Sequence, residues 1–176
     1  MTQVLTDAER ALLLGARRIL LCTTANDGTP RPVPVCFALR DSAADAPLLY
    51  CPLDEKPKRV ADPHLLARVR DIAARPSVTL LADVWDEDWD RLAWLRLYGT
   101  AAILEPQVSG EPGRIADWTE HEAAVSALRL RYPQYRSHDL HSRPIIRVSI
   151  TRTVSWGRLP DPDASQAPHT RPRIAE

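Results

Sequence analysis

The chain has few of the residues that build nucleotide-binding loops or disulfide-linked folds. Its 176 residues include only six glycines and three cysteines. Neither G-x-G-x-x-G nor G-x-x-x-x-G-K-[ST] occurs, so a bound phosphate would need side-chain cations rather than a glycine loop. Cys22, Cys36 and Cys51 are odd in number and lack C-x-x-C spacing. This pattern favours reduced thiols packed in a core over metal ligation or a disulfide framework.

The chain also lacks an excess of charge of either sign and any long apolar run. Its 23 basic residues balance 23 acidic ones, whereas nucleic-acid-binding domains usually show a basic excess or a basic face. No apolar run is long enough to cross a bilayer, and the N-terminal residues do not resemble a secretory signal. We therefore expect a cytoplasmic protein with one main domain that binds neither nucleic acid nor membranes.

Motifs for nucleophilic or zinc-dependent catalysis are missing as well. There is no G-x-S-x-G sequence, and His121-Glu122 does not continue to a second histidine at zinc-protease spacing. All five histidines fall on predicted loops or exposed helix positions. His138 and His141 could approach a metal ion, but the absence of further ligands at zinc-like spacing favours an ordinary surface loop. No catalytic or metal-ligating side chain is therefore predicted.

What the chain does contain is a pattern of short strands with flanking helices. Thr6 and Glu9 form a capping box that predicts a short first helix. Asn26-Asp27-Gly28 predicts a hairpin turn between strands at residues 18–25 and 31–39. Further strands are predicted at 47–52, 77–85, 91–104 and 144–156, and further helices at 62–75 and 115–130. Six mostly antiparallel strands joined by short turns favour closure into a small barrel.

Three prolines mark the second strand as unusual. Pro30, Pro32 and Pro34 alternate along it, and proline has no N–H to donate to a neighbouring strand. This strand must therefore lie at an edge, be bulged or be partly unpaired. Backbone groups that no strand uses are free to bond a ligand, so the strand is a candidate binding element.

A cationic segment follows the third predicted strand. Lys56 and Lys58 are the only two lysines among the 23 basic residues, and they flank Pro57 next to Arg59. The proline stiffens the backbone, and the N-terminal region of the following helix favours an anion. Leu53 to Arg59 is thus a candidate site for the anionic part of a ligand. The alternative is a solvated loop in which the neighbouring carboxylates neutralise the lysines.

An acidic, aromatic loop at residues 85–90 connects the fourth and fifth strands. Its four carboxylates are more typical of a solvated turn, with the indoles folded inward, than of a metal site. Trp85, Trp89 and Trp94 could line a flat aromatic ligand or a dimer interface, and the residues do not distinguish these two roles. Arg96 is predicted on the strand face opposite its two flanking leucines, where its charge needs a carboxylate or a ligand anion.

The order of these segments resembles the pyridoxamine 5′-phosphate oxidase-like FMN-binding split barrels over residues 5–156. The resemblance depends on the first hairpin with Thr23 and Thr24, the basic cluster, residues 75–80, residues 94–100 and the closing strand. Within this family the chain is similar to the actinobacterial branch that uses the deazaflavin coenzyme F420. The resemblance implies an α+β, mainly β homodimer of six-stranded antiparallel split β-barrels with two interfacial cofactor sites. Residues 157–176 would form a polar tail.

The resemblance also implies three groups of cofactor contacts. The backbone that runs along the ring system is that of Pro34, Val35, Cys36 and Phe37. The residues that meet the phosphate or acidic tail are Lys56, Lys58 and Arg59. Weaker candidates, reaching from the partner subunit, are Trp85 and Arg96.

The implied activity is that of an oxidoreductase in which reduced F420 passes a hydride to a small organic substrate. An FMN-dependent oxidase or reductase and a non-catalytic carrier or sensor are the alternatives. The cofactor carries such chemistry, so no catalytic motif is required of the protein. Two departures from the family are visible. Val60-Ala61 stands where an asparagine is common, and Arg136-Ser-His138 matches the R-x-H of the pyridoxamine phosphate oxidases only superficially, which argues against vitamin B6 chemistry.

Overall fold

The computed structural model describes residues 4–40, 46–55, 62–106 and 115–162, with the α3 side chains from residue 118 onward. Within these residues the α-helices are α1 (Asp7–Gly15), α2 (Ala67–Ala74) and α3 (Ile115–Arg131). The strands are β1 (Ile19–Thr24), β2 (Pro30–Val35), β3 (Ala38–Arg40), β4 (Leu48–Pro52), β5 (Ser77–Val84), β6 (Ala93–Leu104) and β7 (Ile145–Gly157). No helix among the described residues is long and apolar enough to span a membrane.

The seven strands form one antiparallel sheet in the order β2-β1-β5-β6-β7-β4-β3. β2 and β3 follow each other in the chain but lie at opposite edges of this sheet. Across a flat sheet the two edges would be about 29 Å apart at the usual strand spacing, whereas the two linking residues span only about 10 Å. The sheet must therefore curl until its edges approach each other. This geometry confirms the expected split barrel.

The number of strands differs from the expected six, because the predicted strand at 31–39 is divided. The break falls at Cys36 and Phe37, between β2 and β3. The Phe37 side chain is fully buried. The Phe37 N–H donates to the Tyr132 hydroxyl oxygen at 3.0 Å, and its carbonyl oxygen is 3.0 Å from the same hydroxyl. A residue whose backbone groups are satisfied in this way leaves the sheet without an unpaired buried polar group.

The proline-rich strand β2 lies at a sheet edge, which is one of the three arrangements that its prolines allowed. The Ala25 N–H bonds the Thr29 carbonyl oxygen, so by alternation Arg31, Val33 and Val35 direct their backbone groups toward β1. The three prolines of β2 therefore direct theirs outward. The outer edge of β2 presents carbonyl oxygens and no N–H groups.

The predicted N-terminal capping residues of two helices are confirmed, but the second one caps a 3₁₀ turn rather than an α-helix. Thr6 and Glu9 form the complete capping box of α1. Asp62 accepts the His64 N–H at 2.8 Å, but the residues it caps form a 3₁₀ turn at Pro63–Leu65. α2 begins only at Ala67. The predicted helix at 62–75 is thus a short turn followed by a shorter helix.

One histidine does not lie where the sequence placed it. His121 was expected on an exposed helix position, but its side chain is completely buried. Its Nε2 is 2.8 Å from the Arg143 carbonyl oxygen. Around it α3 packs Ala124, Val125 and Leu128 into an apolar cluster with β3 and β4. The second, larger core lies inside the curled sheet and includes apolar residues of α1 and α2.

Candidate functional site

The segment predicted to run along a cofactor ring, residues 34–37, lies at the outer edge of β2 and the break that follows it. Pro34 is exposed, and Val35 and Cys36 are half-buried. Phe37 is buried in the core, and its backbone groups are held by Tyr132. The part of this segment that a ligand can reach is therefore residues 34–36.

The predicted tail-binding residues Lys56, Lys58 and Arg59 lie outside the described residues, which include Leu53 and Asp54 shortly before them in the chain. Leu53 is fully buried and Asp54 is almost fully buried. The Tyr135 hydroxyl donates to Asp54 Oδ2 at 2.8 Å. Asp54 itself is therefore held against the barrel.

The same tyrosine lies near both predicted cofactor segments. Burial, followed by the neighbouring Cys36 thiol and the Asp54 carboxylate, raises the pKa of Tyr135. Burial also raises the pKa of the nearby Cys51 thiol to about 12. All three cysteines are free; Cys51 is buried as expected of a core thiol, whereas Cys22 and Cys36 are only half-buried. The Tyr135 side chain thus has Cys36 of the ring segment and Asp54, two residues before Lys56, as neighbours.

A groove of about 690 Å³ lies on the outer face of the sheet, across β1, β5 and β6. Leu20 and Leu81 are paired across β1 and β5, and Arg96 follows in register on β6. Trp94 adds an aromatic wall to the groove, and Asp83 and Arg18 add one charge of each sign. The groove therefore combines an apolar floor, an aromatic ring and a few charged groups, as small-molecule sites do.

Arg96 lies on the strand face opposite Leu95 and Leu97, as expected, because both leucines are fully buried while Arg96 lines the groove. Residues two apart on a strand point to the same face, and the Arg96 guanidinium carbon is 5.0 Å from the centroid of the Trp94 ring. Arg96 also donates to the Tyr98 hydroxyl at 3.2 Å. Its contacts among the described residues are thus an aromatic ring and a hydroxyl, where a carboxylate or a ligand anion was expected.

The tryptophans of the acidic loop also differ from the expectation that they fold inward. The side chains of Trp85 and Trp89 are 73% and 75% exposed. Trp85 follows the last residue of β5, and neither indole lines the groove. These two residues stand beside the outer face of the sheet, where a second molecule could reach them.

A second cavity of about 370 Å³ lies on the other side of β2, between this strand and the first turn of α2. Its polar lining comes from Thr23, Arg31 and Arg68. Arg31 Nη1 donates to Asp71 Oδ1 at 3.0 Å, and the Thr23 hydroxyl donates to Asp71 Oδ2 at 2.8 Å. We call this cavity the arginine recess. Pro32 lines both cavities, so the groove and the arginine recess meet at the edge strand.

The residues of the arginine recess were not identified from the sequence. Asp71 is one carboxylate of an amphipathic helix, and it is 40 residues from Arg31 and 48 residues from Thr23. The one signal in the sequence that could have drawn attention to Arg31 is its position between Pro30 and Pro32 on β2. The pairing of strand and helix that joins these residues is a property of the tertiary structure.

Four histidines lie in the described residues, and each is near a carboxylate or a backbone carbonyl of the protein. His64 pairs with Glu105 at 3.5 Å, His138 with Glu55 at 3.7 Å, and His141 with Glu122 at 2.9 Å. His121 bonds a backbone carbonyl. None of these four imidazoles lines the groove or the arginine recess. Neither cavity therefore offers an imidazole from the described residues as a metal ligand.

Comparisons with known proteins agree with this architecture. The family model described as pyridoxamine 5′-phosphate oxidase matches residues 5–157. A search of curated proteins finds no match. A conserved hypothetical protein from Mycobacterium tuberculosis is similar in structure, with a TM-score of 0.60, 21% identity, and coverage of 96% of this chain and 92% of that one.

Two further structures carry names that refer to different ligands. A protein named F420 reductase has a TM-score of 0.53 and 19% identity, with coverage of 82% of this chain and 94% of that one. The heme storage protein from Vibrio cholerae has a TM-score of 0.55 and 10% identity, with coverage of 89% and 95%. At these identities the likeness shows the fold alone, and the names of the two proteins refer to different ligands.

Proposed function

Because the chain belongs to the pyridoxamine 5′-phosphate oxidase family, we propose that it is a cytoplasmic oxidoreductase that uses reduced coenzyme F420. The bound deazaflavin would supply the hydride, and a small organic substrate would accept it. The observation that carries this proposal is the pair of cavities that meet at Pro32, one largely apolar and aromatic and the other cationic. A planar ring with an anionic tail has this same division of chemistry.

The groove and the β2 edge suit the ring part of such a cofactor. Leu20, Leu81 and Trp94 offer apolar and aromatic surface, and flat rings stack favourably on such groups. The outward carbonyl oxygens of β2 can accept from an N–H, which the pyrimidine edge of flavins and deazaflavins provides. Residues 34–36 would position the ring by these backbone bonds, and the surrounding apolar groups would exclude water from it.

The cations suit the tail. Lys56, Lys58 and Arg59 follow Asp54 in the chain, and Asp54 accepts the hydrogen bond of Tyr135. The Cys36 thiol of the ring segment lies near the same tyrosine, so one side chain positions both Asp54 and the ring segment. Such preorganisation reduces the entropic cost of binding an elongated ligand.

A homodimer is part of this proposal, with the outer face of the sheet as the interface. Trp94 and Trp156 are paired across β6 and β7, and Trp156 is 56% exposed. Val154, in register with Arg96, is also exposed. An apolar, aromatic face of this kind is typical of an interaction surface. In a two-fold dimer this face would bring Trp85 and Arg96 toward the partner's cofactor site.

We expect light scattering to give twice the mass of one chain, and the variant Trp156→Arg to give the mass of a monomer. Because the interface would be two-fold symmetric, the substitution places two buried, unpaired charges in it, one from each subunit. The control is Leu130→Arg, since Leu130 is 83% exposed on α3. A monomeric wild-type protein, or dimers of both variants, would contradict the proposed interface.

The cofactor assignment is tested by titrating the purified protein with F420, FMN and heme and following absorbance and fluorescence. We expect F420 to bind with micromolar or better affinity and FMN to bind more weakly. Tighter binding of FMN would support the alternative of an FMN-dependent oxidase or reductase. Binding of heme alone would contradict both flavin assignments.

Turnover distinguishes the enzyme from a carrier or sensor. Reduced F420 bound to the protein should be oxidised when a panel of small carbonyl and activated-alkene compounds is added. If the bound cofactor exchanges no hydride with any of them, the non-catalytic alternative is favoured.

A further inference from the structure

The arginine recess contains two arginines, and each has at least one hydrogen-bond donor that bonds no described residue. Arg31 bonds Asp71 through Nη1, and no other nitrogen of its guanidinium bonds a described residue. The Arg31 side chain is 46% exposed and that of Asp71 is 6% exposed. The buried carboxylate, itself held by Thr23, therefore fixes one end of the guanidinium and leaves its remaining donors for another group.

Arg68 lines the same recess from the first turn of α2. Its Nε is buried and has no hydrogen-bond partner among the described residues. Burial lowers the pKa of Arg68, while the nearby Asp54 charge opposes that effect. Asp54 also accepts the hydrogen bond of Tyr135. A desolvated guanidinium with an unsatisfied donor is costly unless an anion joins it.

The lining around these two arginines is otherwise apolar. Pro32, Val33, Leu65 and Leu66 contribute hydrocarbon surface, which strengthens the attraction between a cation and an anion placed between them. Arginine also binds phosphate and carboxylate oxygens through two parallel donors. The volume of about 370 Å³ is ample for a phosphate or a carboxylate group.

We propose that Arg31 and Arg68 form an anion-binding subsite in the arginine recess, for a phosphate or carboxylate group. In its application to the cofactor this inference rests on the proposed function. Together with the tail contacts proposed for Lys56, Lys58 and Arg59, this subsite would select a tail with more than one anionic group. A deazaflavin tail with a phosphodiester and glutamyl carboxylates meets this requirement, whereas the single terminal phosphate of FMN occupies only one subsite.

The subsite is tested first without any flavin, by calorimetric titration of the full chain with inorganic pyrophosphate. The titration is done in the Lys56→Ala/Lys58→Ala background, so that binding at the basic cluster does not mask the result. Pyrophosphate should bind this variant, and the further change Arg68→Gln should weaken binding about tenfold or more. The matched control is Arg70→Gln, because Arg70 is exposed on the same helix.

Two results of this titration would overturn the subsite. One is the absence of pyrophosphate binding in the double lysine variant. The other is an equal loss in the Arg68→Gln and Arg70→Gln variants, which would show a general charge effect. Circular dichroism of each variant checks that only folded proteins are compared.

The second arm measures the affinity of otherwise wild-type protein for F420 and for the deazaflavin alcohol that lacks the phosphate tail. Arg68→Gln should weaken F420 about tenfold or more and leave the affinity of the alcohol unchanged. If F420 binds wild type and Arg68→Gln equally well, the subsite is refuted and the proposed function stands. If pyrophosphate binds in the recess but no flavin or deazaflavin binds the protein, the proposed function is refuted and the subsite stands.

Discussion

Replacing Gly99 by alanine should destabilise the fold by about 3 kcal/mol or more. Gly99 lies at the register shift between β6 and β7. A Cβ there would collide with the Ser149 carbonyl oxygen and approach the Val148 side chain to 2.9 Å. The obstructing oxygen is backbone of the paired strand, so relief requires β7 to move away from β6. Urea unfolding followed by tryptophan fluorescence measures the loss.

Gly15→Ala is the matched control for this substitution. Nothing lies within 4 Å of the Cβ that alanine would place there, and Gly15 is the last residue of α1. We expect this variant to be neutral or to be stabilised by about 0.5–1 kcal/mol, because alanine loses less backbone entropy in a helix. Equal free energies of unfolding for Gly99→Ala and Gly15→Ala would contradict this prediction, because they would show that β6 and β7 leave room for a Cβ at residue 99.

The double variant Lys56→Ala/Lys58→Ala should lose about a hundredfold or more in affinity for F420. Each desolvated charge-assisted contact with a tail anion contributes about 1.5–3 kcal/mol, and about 1.4 kcal/mol corresponds to a factor of ten. If the two ammonium groups remain in water, each contributes less than about 1 kcal/mol. The size of the loss therefore distinguishes a tail site from the solvated loop that the sequence left as an alternative.

The control for the lysine variant is Arg70→Ala, which removes a positive charge from the exposed face of the neighbouring helix. Its affinity should stay within about twofold of wild type, because an exposed charge is screened at this range. Fluorescence titration at two salt concentrations gives a second readout, since the wild-type affinity should fall with salt more steeply than that of the lysine variant. Unchanged affinity in the lysine variant would remove both residues from the site.

Much of the fold could be predicted from residues that act on their chain neighbours. The capping box of Thr6 and Glu9 places α1, and the turn at residues 26–28 places the first hairpin, with Gly28 at a φ of 87° that few other residues adopt. The prolines of β2 predicted an edge, bulged or partly unpaired strand, and β2 is an edge strand. Each of these signals concerns backbone conformation or hydrogen bonding within a few residues.

The predictions that failed concern the surroundings of side chains. His121 is buried although its position was expected to be exposed, and the Trp85 and Trp89 indoles are exposed although they were expected to fold inward. The burial of His121 depends on how α3 packs against the loop that contains Arg143, which no local pattern reports.

The sequence by itself determined the helices, the hairpin, the proline edge and the cationic segment, because these depend on neighbouring residues. Only the tertiary structure decided which groups form the candidate site. The curl of the sheet separates β2 from β3 at Cys36 and Phe37, and contacts between distant residues join Arg31 to Asp71 and Tyr135 to Asp54, 40 and 81 residues apart. Such contacts form when burial of the core brings remote segments together, and the geometry of the packed chain, not its local propensities, sets where their charges meet.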